Sequence, residues 1–187
     1  MDKAMKLIKT NIEDLFIFEP KIFEDERGYF FESYNKKVLD NLIDTKYNFV
    51  QDNESKSSYG VIRGLHYQVE PYSQTKLVRV LQGKVYDVVV DIRKDSHTFG
   101  EWVGVELSAA NKRQFLIPKG FAHGFSVLSE SAIFAYKCDE FYHPEAEKGI
   151  AFDDLTLNID WKIKDEDIVV ADRDKNWPTL ENAKLMF

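Results

Sequence analysis

Seven of the nine glycines fall between residues 60 and 124, and the β-branched and aromatic residues between them come in runs of four to nine. Runs that short, bounded by turn residues, do not build helical bundles; they build sheets that fold back on themselves as sandwiches, jelly rolls or barrels. The strand candidates are Asp14 to Pro20, Gly28 to Tyr34, Lys76 to Leu81, Lys84 to Ile92, Trp102 to Leu107, Gln114 to Ile117, His123 to Val127 and Ile133 to Tyr136. Gln82-Gly83 reads as a tight turn joining the third and fourth of these into a hairpin. In an extended run Lys76, Val78 and Val80 share one face. One helix is expected, where Asn35 can cap a segment whose Val38/Leu42 and Leu39/Ile43 pairs repeat at helical spacing. The tail, residues 153–187, reads as loops and a short helix around the core. No repeat or Pro/Gly/Ser tract divides the chain, so residues 1–187 are expected to form a single domain.

With 187 residues, 44% of them apolar and 14% aromatic, the chain can fill one sizeable core. Its uncharged apolar stretches are only a few residues long, and Met1 to Thr10 lacks an apolar signal core. Neither a membrane span nor a secretory peptide is expected, which makes the cytoplasm the default location. Against 32 acidic residues stand 25 Lys and Arg, a net charge of −7, which argues against nucleic acid as the main partner. A small anionic ligand would need a local cluster of cations, for which Arg27, Arg63 and Lys76 are candidates. The lone Cys138 excludes an intrachain disulfide and a multi-cysteine zinc site.

Two stretches concentrate chemistry. Arg63-Gly64-Leu65-His66-Tyr67-Gln68 sets an arginine and a histidine three apart with a glycine between them, and Lys76 follows on a run whose same-face neighbours are valines. A histidine taken alone is more often structural, but a lysine on an apolar face is rare unless it is paired or functional. In the second stretch, Pro118, Gly120 and Gly124 force turns around His123, which is flanked by Phe121 and Phe125. Together the two stretches resemble the signature segments of the cupin superfamily, which implies an all-β jelly-roll barrel with a few short helices. Cupins often hold a metal through His-x-His and a carboxylate. Here Gln68 stands in place of the second imidazole and no acid follows at the short spacing, so a metal-free site is expected. His97 reads as a solvated turn residue and His143 as a strand end.

Seven motifs in order, Asp25-x-Arg27-Gly28-x-Phe30-x-Glu32, Gln51-Asp52-Asn53-x-Ser55-x-Ser57, Arg63-Gly64-Leu65-His66-Tyr67-Gln68, Lys76-Leu77-Val78-Arg79-Val80, Pro118-x-Gly120-Phe121-Ala122-His123-Gly124-Phe125, Tyr136-Lys137-Cys138 and Asp174-Lys175-Asn176-Trp177-Pro178, resemble the dTDP-4-dehydrorhamnose 3,5-epimerase family from about residue 6 to residue 180. The resemblance implies a cofactor-free isomerase of dTDP-L-rhamnose biosynthesis. It makes His66 the base, Tyr136 the acid and Lys76 the group facing the ketone oxygen. Asp174 becomes the partner of His66, with Asp172 as the alternative. It also implies substrate contacts from Arg27, Glu32, Gln51, Asn53, Arg63, His123, Tyr142, Glu147 and Arg173, with Tyr142 stacking on thymine. A homodimer is implied, in which the first part of the chain, Arg27 or Glu32 included, completes the neighbour's site. The competing readings are a C3-only epimerase or ketoisomerase on the same scaffold, a non-catalytic sugar-nucleotide binding cupin, and a metal-dependent cupin oxygenase.

Overall fold

Two antiparallel sheets face each other in the computed structural model, which describes residues 5–187. Met1–Ala4, the start of the stretch read above as lacking a signal core, lie outside the described residues. In chain order the strands are β1 (Met5–Lys9), β2 (Phe16–Pro20), β3 (Phe23–Asp25), β4 (Gly28–Phe30), β5 (Gln51–Ser58), β6 (Val61–Gln68), β7 (Lys76–Gln82), β8 (Lys84–Asp91), β9 (Trp102–Ser108), β10 (Gln114–Ile117), β11 (Phe121–Val127), β12 (Ser131–Cys138), β13 (Glu147–Gly149) and β14 (Val169–Val170). The first sheet runs β1-β2-β10-β7-β12-β5 and the second β13-β6-β11-β8-β9, with β14 added parallel to β6. This is the expected cupin-type jelly roll. Its interior is filled by alternate residues of both sheets, Val78, Val80, Phe115 and Phe134 from one and Val85, Val89, Phe121 and Phe125 from the other.

Both outer faces are covered as well. On the first sheet lies α1 (Lys36–Leu42), started by the Asn35 side chain accepting the Val38 N–H at 3.2 Å, as its capping pattern predicts. Its Leu39 and the adjoining Ile43 pack on Phe18, Leu77 and Leu116. On the second sheet the tail lays Leu157, Trp161, Leu180 and Leu185 over Ile62, Leu65, Val88 and Val90. The tail forms 3-10 turns at Asp165–Asp167, Asp174–Asn176 and Leu180–Asn182 and contains no α-helix.

The expected hairpin of Lys76 to Leu81 with Lys84 to Ile92 is not formed. β7 pairs with β10 and β12, whereas β8 pairs with β9 and β11, so the two runs lie in opposite sheets. Each is a central strand whose two edges are taken by later segments, and Gly83 carries the chain across the corner. Its φ is +77°, and a Cβ there would lie 2.1 Å from the Ser131 carbonyl oxygen. The run expected from Gly28 to Tyr34 ends at Phe30 and pairs only with β3, in a hairpin that leaves Phe23 and Phe30 55% and 70% exposed. The run expected from Asp14 starts at Phe16, because Asp14 sits in a turn at φ +71°. His143 does not end a strand; it precedes the 3-10 turn Pro144–Ala146 and stacks on Tyr72 with ring centroids 3.7 Å apart.

Candidate active site

Arg63 and His66 are three residues apart, and on a regular strand they would point to opposite faces. β6 is not regular. Against β11, His66 pairs with His123 and Arg63 with Phe125, so three steps on β6 match two on β11. The extra residue is a bulge that returns both side chains to the inward face. Gly64 makes it possible: its φ is +134°, and a Cβ would lie 2.4 Å from the Cα of Gly124. The two glycines let the strands touch backbone to backbone, and the Arg-x-x-His spacing is thereby explained. Arg63 and His66 open into a cavity of about 690 Å³ between the sheets.

His66 meets its partner from the tail. The 3-10 turn Asp174–Asn176 places Asp174, 3% exposed, so that its Oδ1 accepts the His66 Nε2–H at 2.7 Å. Oδ1 also accepts the Trp177 indole N–H at 3.3 Å, and Oδ2 the Gly64 amide at 3.5 Å. Burial alone would raise the Asp174 carboxyl, but the hydrogen bond and charge of His66, the indole and the amide hold it below the usual carboxylate range. An ionised carboxylate only accepts, so Nε2 carries the proton and Nδ1 keeps the lone pair of a base. Asp172 points elsewhere, into an exposed ion pair with Lys175, so Asp174 is the histidine partner.

The facing sheet supplies the opposite wall. Tyr136 on β12 and Lys76 on β7 line the same cavity. Burial raises the Tyr136 hydroxyl, helped by the Glu147 charge and opposed by Arg63, so it holds its proton at neutral pH. Burial lowers the Lys76 ammonium, against the opposing pull of Glu147 and Asp87. Cys138 is the register partner of Lys76 and fully buried, its thiol pushed up by burial to about 11, in keeping with a small packing role. Edge strand β5 turns Gln51, Asn53 and Ser55 inward, giving the cavity a wall of amides and a hydroxyl.

At the rim Tyr142, 48% exposed, donates its hydroxyl to Glu147 Oε2 at 2.7 Å, and Arg173 Nη1 donates to the same oxygen at 2.8 Å. His123 also lines the cavity, from below. It is 7% exposed, and its Nε2 lies 2.9 Å from Asp87 Oδ2. Of the expected site residues, eleven therefore line one cavity: His66, Tyr136, Asp174, Lys76, Gln51, Asn53, Arg63, His123, Tyr142, Glu147 and Arg173. Arg27 and Glu32 do not line it. Arg27 is paired with Asp25 in the exposed hairpin, and Glu32 is exposed beyond it. Gln68, in place of a second imidazole, is committed to the fold, donating to the Tyr72 and Phe141 carbonyls and accepting the His143 amide.

Sequence reasoning missed Asp87, although a carboxylate inside the run Val85 to Ile92 is a signal of the same kind as Lys76. It also gave no role to Ser55, Gln74 or the Trp177 indole.

The family model described as dTDP-4-dehydrorhamnose 3,5-epimerase matches residues 9–182. The dTDP-4-dehydrorhamnose 3,5-epimerase of Shigella flexneri is 57% identical over 179 residues, covering 96% of this chain and 98% of that protein. The crystal structure of dTDP-4-dehydrorhamnose 3,5-epimerase from Elizabethkingia anophelis superposes with a TM-score of 0.92 at 54% identity, covering 96% of this chain and 98% of that one. That of dTDP-6-deoxy-D-glucose-3,5-epimerase from Legionella pneumophila, in complex with dTDP-4-keto-L-rhamnose, gives 0.92 at 53% identity, covering 95% and 94%.

Proposed function

This chain belongs to the dTDP-4-dehydrorhamnose 3,5-epimerase family, and we propose that its cavity inverts C3 and C5 of dTDP-4-dehydro-6-deoxy-D-glucose to give dTDP-4-dehydro-L-rhamnose, the epimerase step of dTDP-L-rhamnose biosynthesis. The observation that carries the assignment is the His66–Asp174 pair, the imidazole on one sheet and its carboxylate from the tail, facing Tyr136 and Lys76 on the other sheet.

The C4 ketone makes the hydrogens on C3 and C5 acidic. His66 Nδ1 takes the proton, the C–H electron pair moves into an enolate, and the developing O4 charge is met by the Lys76 ammonium. Tyr136 returns a proton to the opposite face of the same carbon, which inverts the centre. The resulting imidazolium is stabilised by Asp174, as a carboxylate does for a histidine base generally. His66 then loses its proton to solvent and the Tyr136 phenolate regains one. No electrons are gained or lost overall, so the chain's own groups balance the reaction without a redox cofactor.

Arg63, with Arg173 at the rim, supplies charge-assisted donors for the diphosphate. Gln51, Asn53 and Glu147 offer polar contacts to the nucleotide, His123 contacts the sugar, and exposed Tyr142 offers a face on which thymine can stack. The chain is read as one epimerase domain that works as a homodimer. The exposed hairpin with Phe23, Arg27 and Phe30, followed by Glu32, reaches into the neighbour's site. Support for that reading comes from the position of Arg27 outside this cavity and from the apolar surface the hairpin leaves bare. A diffusible nucleotide-sugar substrate suits a cytoplasmic setting, and among the described residues no helix is long and apolar enough to cross a membrane.

Incubation with the 4-keto sugar nucleotide in D2O should place deuterium at C3 and C5. Deuterium at C3 alone would make the protein a C3 epimerase, binding without exchange a sugar-nucleotide binding module, and exchange at neither carbon would refute the assignment.

A further inference from the structure

β13 runs antiparallel to β6 and sets Gly149 opposite His66. No side chain fits at Gly149. A Cβ there would lie 2.5 Å from Cδ2 and 2.6 Å from Cδ1 of Trp177, so the indole rests on the bare backbone. From that seat the Trp177 N–H reaches Asp174 Oδ1 at 3.3 Å, the oxygen that also accepts the His66 Nε2–H at 2.7 Å. The indole meets the imidazole edge-on, with centroids 6.2 Å apart at 73°. We propose that Trp177, seated on Gly149, is a positioning residue: by sharing the Asp174 oxygen with His66 it sets how basic the imidazole is. The kinetic part of this inference rests on the reading of His66 as the base.

A carboxylate oxygen that accepts two N–H groups divides its charge between them. With the indole N–H gone, Asp174 draws more strongly on the His66 proton and stabilises the imidazolium. The imidazolium, which is unable to take a hydrogen from the sugar, is then favoured relative to the parent protein. Other charged or titratable groups face this pair: Arg63 from β6, Lys76 from β7, His123 from β11, Tyr136 from β12, Glu147 from β13, and Arg173, whose Nε lies 3.5 Å from Asp174 Oδ1. A change at Trp177 removes none of them, so they form a constant background.

The test is Trp177→Phe in the full chain, which keeps an aromatic ring on Gly149 and removes only the donor. The ring resonances of His66 are titrated by NMR without substrate, and kcat/KM is measured against pH. The His66 midpoint should rise by about half a unit, with the acid limb of kcat/KM moving equally and KM unchanged. Gly149→Ala, which dislodges the indole from the other side, should raise the midpoint in the same direction. A uniform loss of rate or of melting temperature in Trp177→Phe, with the His66 midpoint unmoved, would overturn the proposal and leave Trp177 a packing residue. Should the unsubstituted protein show no hydrogen exchange, the assigned reaction fails, while the NMR titration still decides the role of Trp177.

Discussion

Asp87 holds the Nε2 of His123 at 2.9 Å from a strand whose neighbouring inward residues, Val85 and Val89, are apolar. Two ionisable groups sunk into the floor of a hydrophobic sandwich persist there because each satisfies the other. Removing one leaves its partner buried and unpaired. Asp87→Ala should therefore destabilise the fold by about 3–5 kcal/mol, and Asp87→Asn, which keeps an acceptor, by clearly less. Urea unfolding of the two variants checks this; equal midpoints for both would show that the acceptor kept in Asp87→Asn contributes nothing to stability.

The glycine contact between β6 and β11 should tolerate no methyl group. Gly64→Ala places a side chain 2.4 Å from Gly124 Cα and in a left-handed conformation. A loss of about 3 kcal/mol or more is expected, since backbone must move to make room. Gly28→Ala, at a φ of +122° but with open space around the same atom, should cost only the backbone strain and so less. Comparative thermal melts give the ranking.

Activity at high pH should be limited by Lys76, not by Tyr136. The Tyr136 hydroxyl is raised above 10.0 and stays protonated, while burial lowers the Lys76 ammonium below 10.5, so the lysine is the group drawn into the working range as pH rises. In Tyr136→Phe, the residual hydrogen exchange at C3 should keep the alkaline limb of the parent protein. A limb that moves with Tyr136 would assign it to the phenol.

Acid stability should depend on Asp91, fully buried at the end of β8. Burial would raise its carboxyl, but Arg93, Ser96, Thr98 and the Arg93 amide hold it below 3.8. A carboxyl depressed on folding contributes stability above its unfolded value, and that contribution disappears as pH falls through the folded value. Asp91→Asn should cost about 2–4 kcal/mol at pH 7, and the difference from the parent should shrink as the pH is taken below 3.8. Unfolding curves at pH 7 and pH 3 measure both ends.

Legibility in the sequence followed the range of the interaction. Asn35 and its helix were readable because cap, stripe and stop all lie within nine residues. Strand β5 was not, because Gln51 to Ser58 has no apolar alternation; it is extended because β12 pairs with it along its whole length. The Gly83 corner looked like a hairpin since the partners that claim β7 and β8 lie in later segments, 12 to 62 residues further on. The family motifs identified most of the cavity, yet the choice between Asp172 and Asp174 needed the 3-10 turn that aims one inward and the other at Lys175. Asp87 escaped because its partner is 36 residues away.

The segment that clads the outer face of the second sheet is the same one that turns back to deliver Asp174 to His66. In chain order Asp174 follows every strand of both sheets. A chain still short of that point carries His66, Tyr136 and Lys76 but leaves the imidazole without its carboxylate and the second sheet without Leu180 and Leu185. A protein cut before Asp174 would therefore expose apolar surface of the second sheet and lack the carboxylate that pairs with His66.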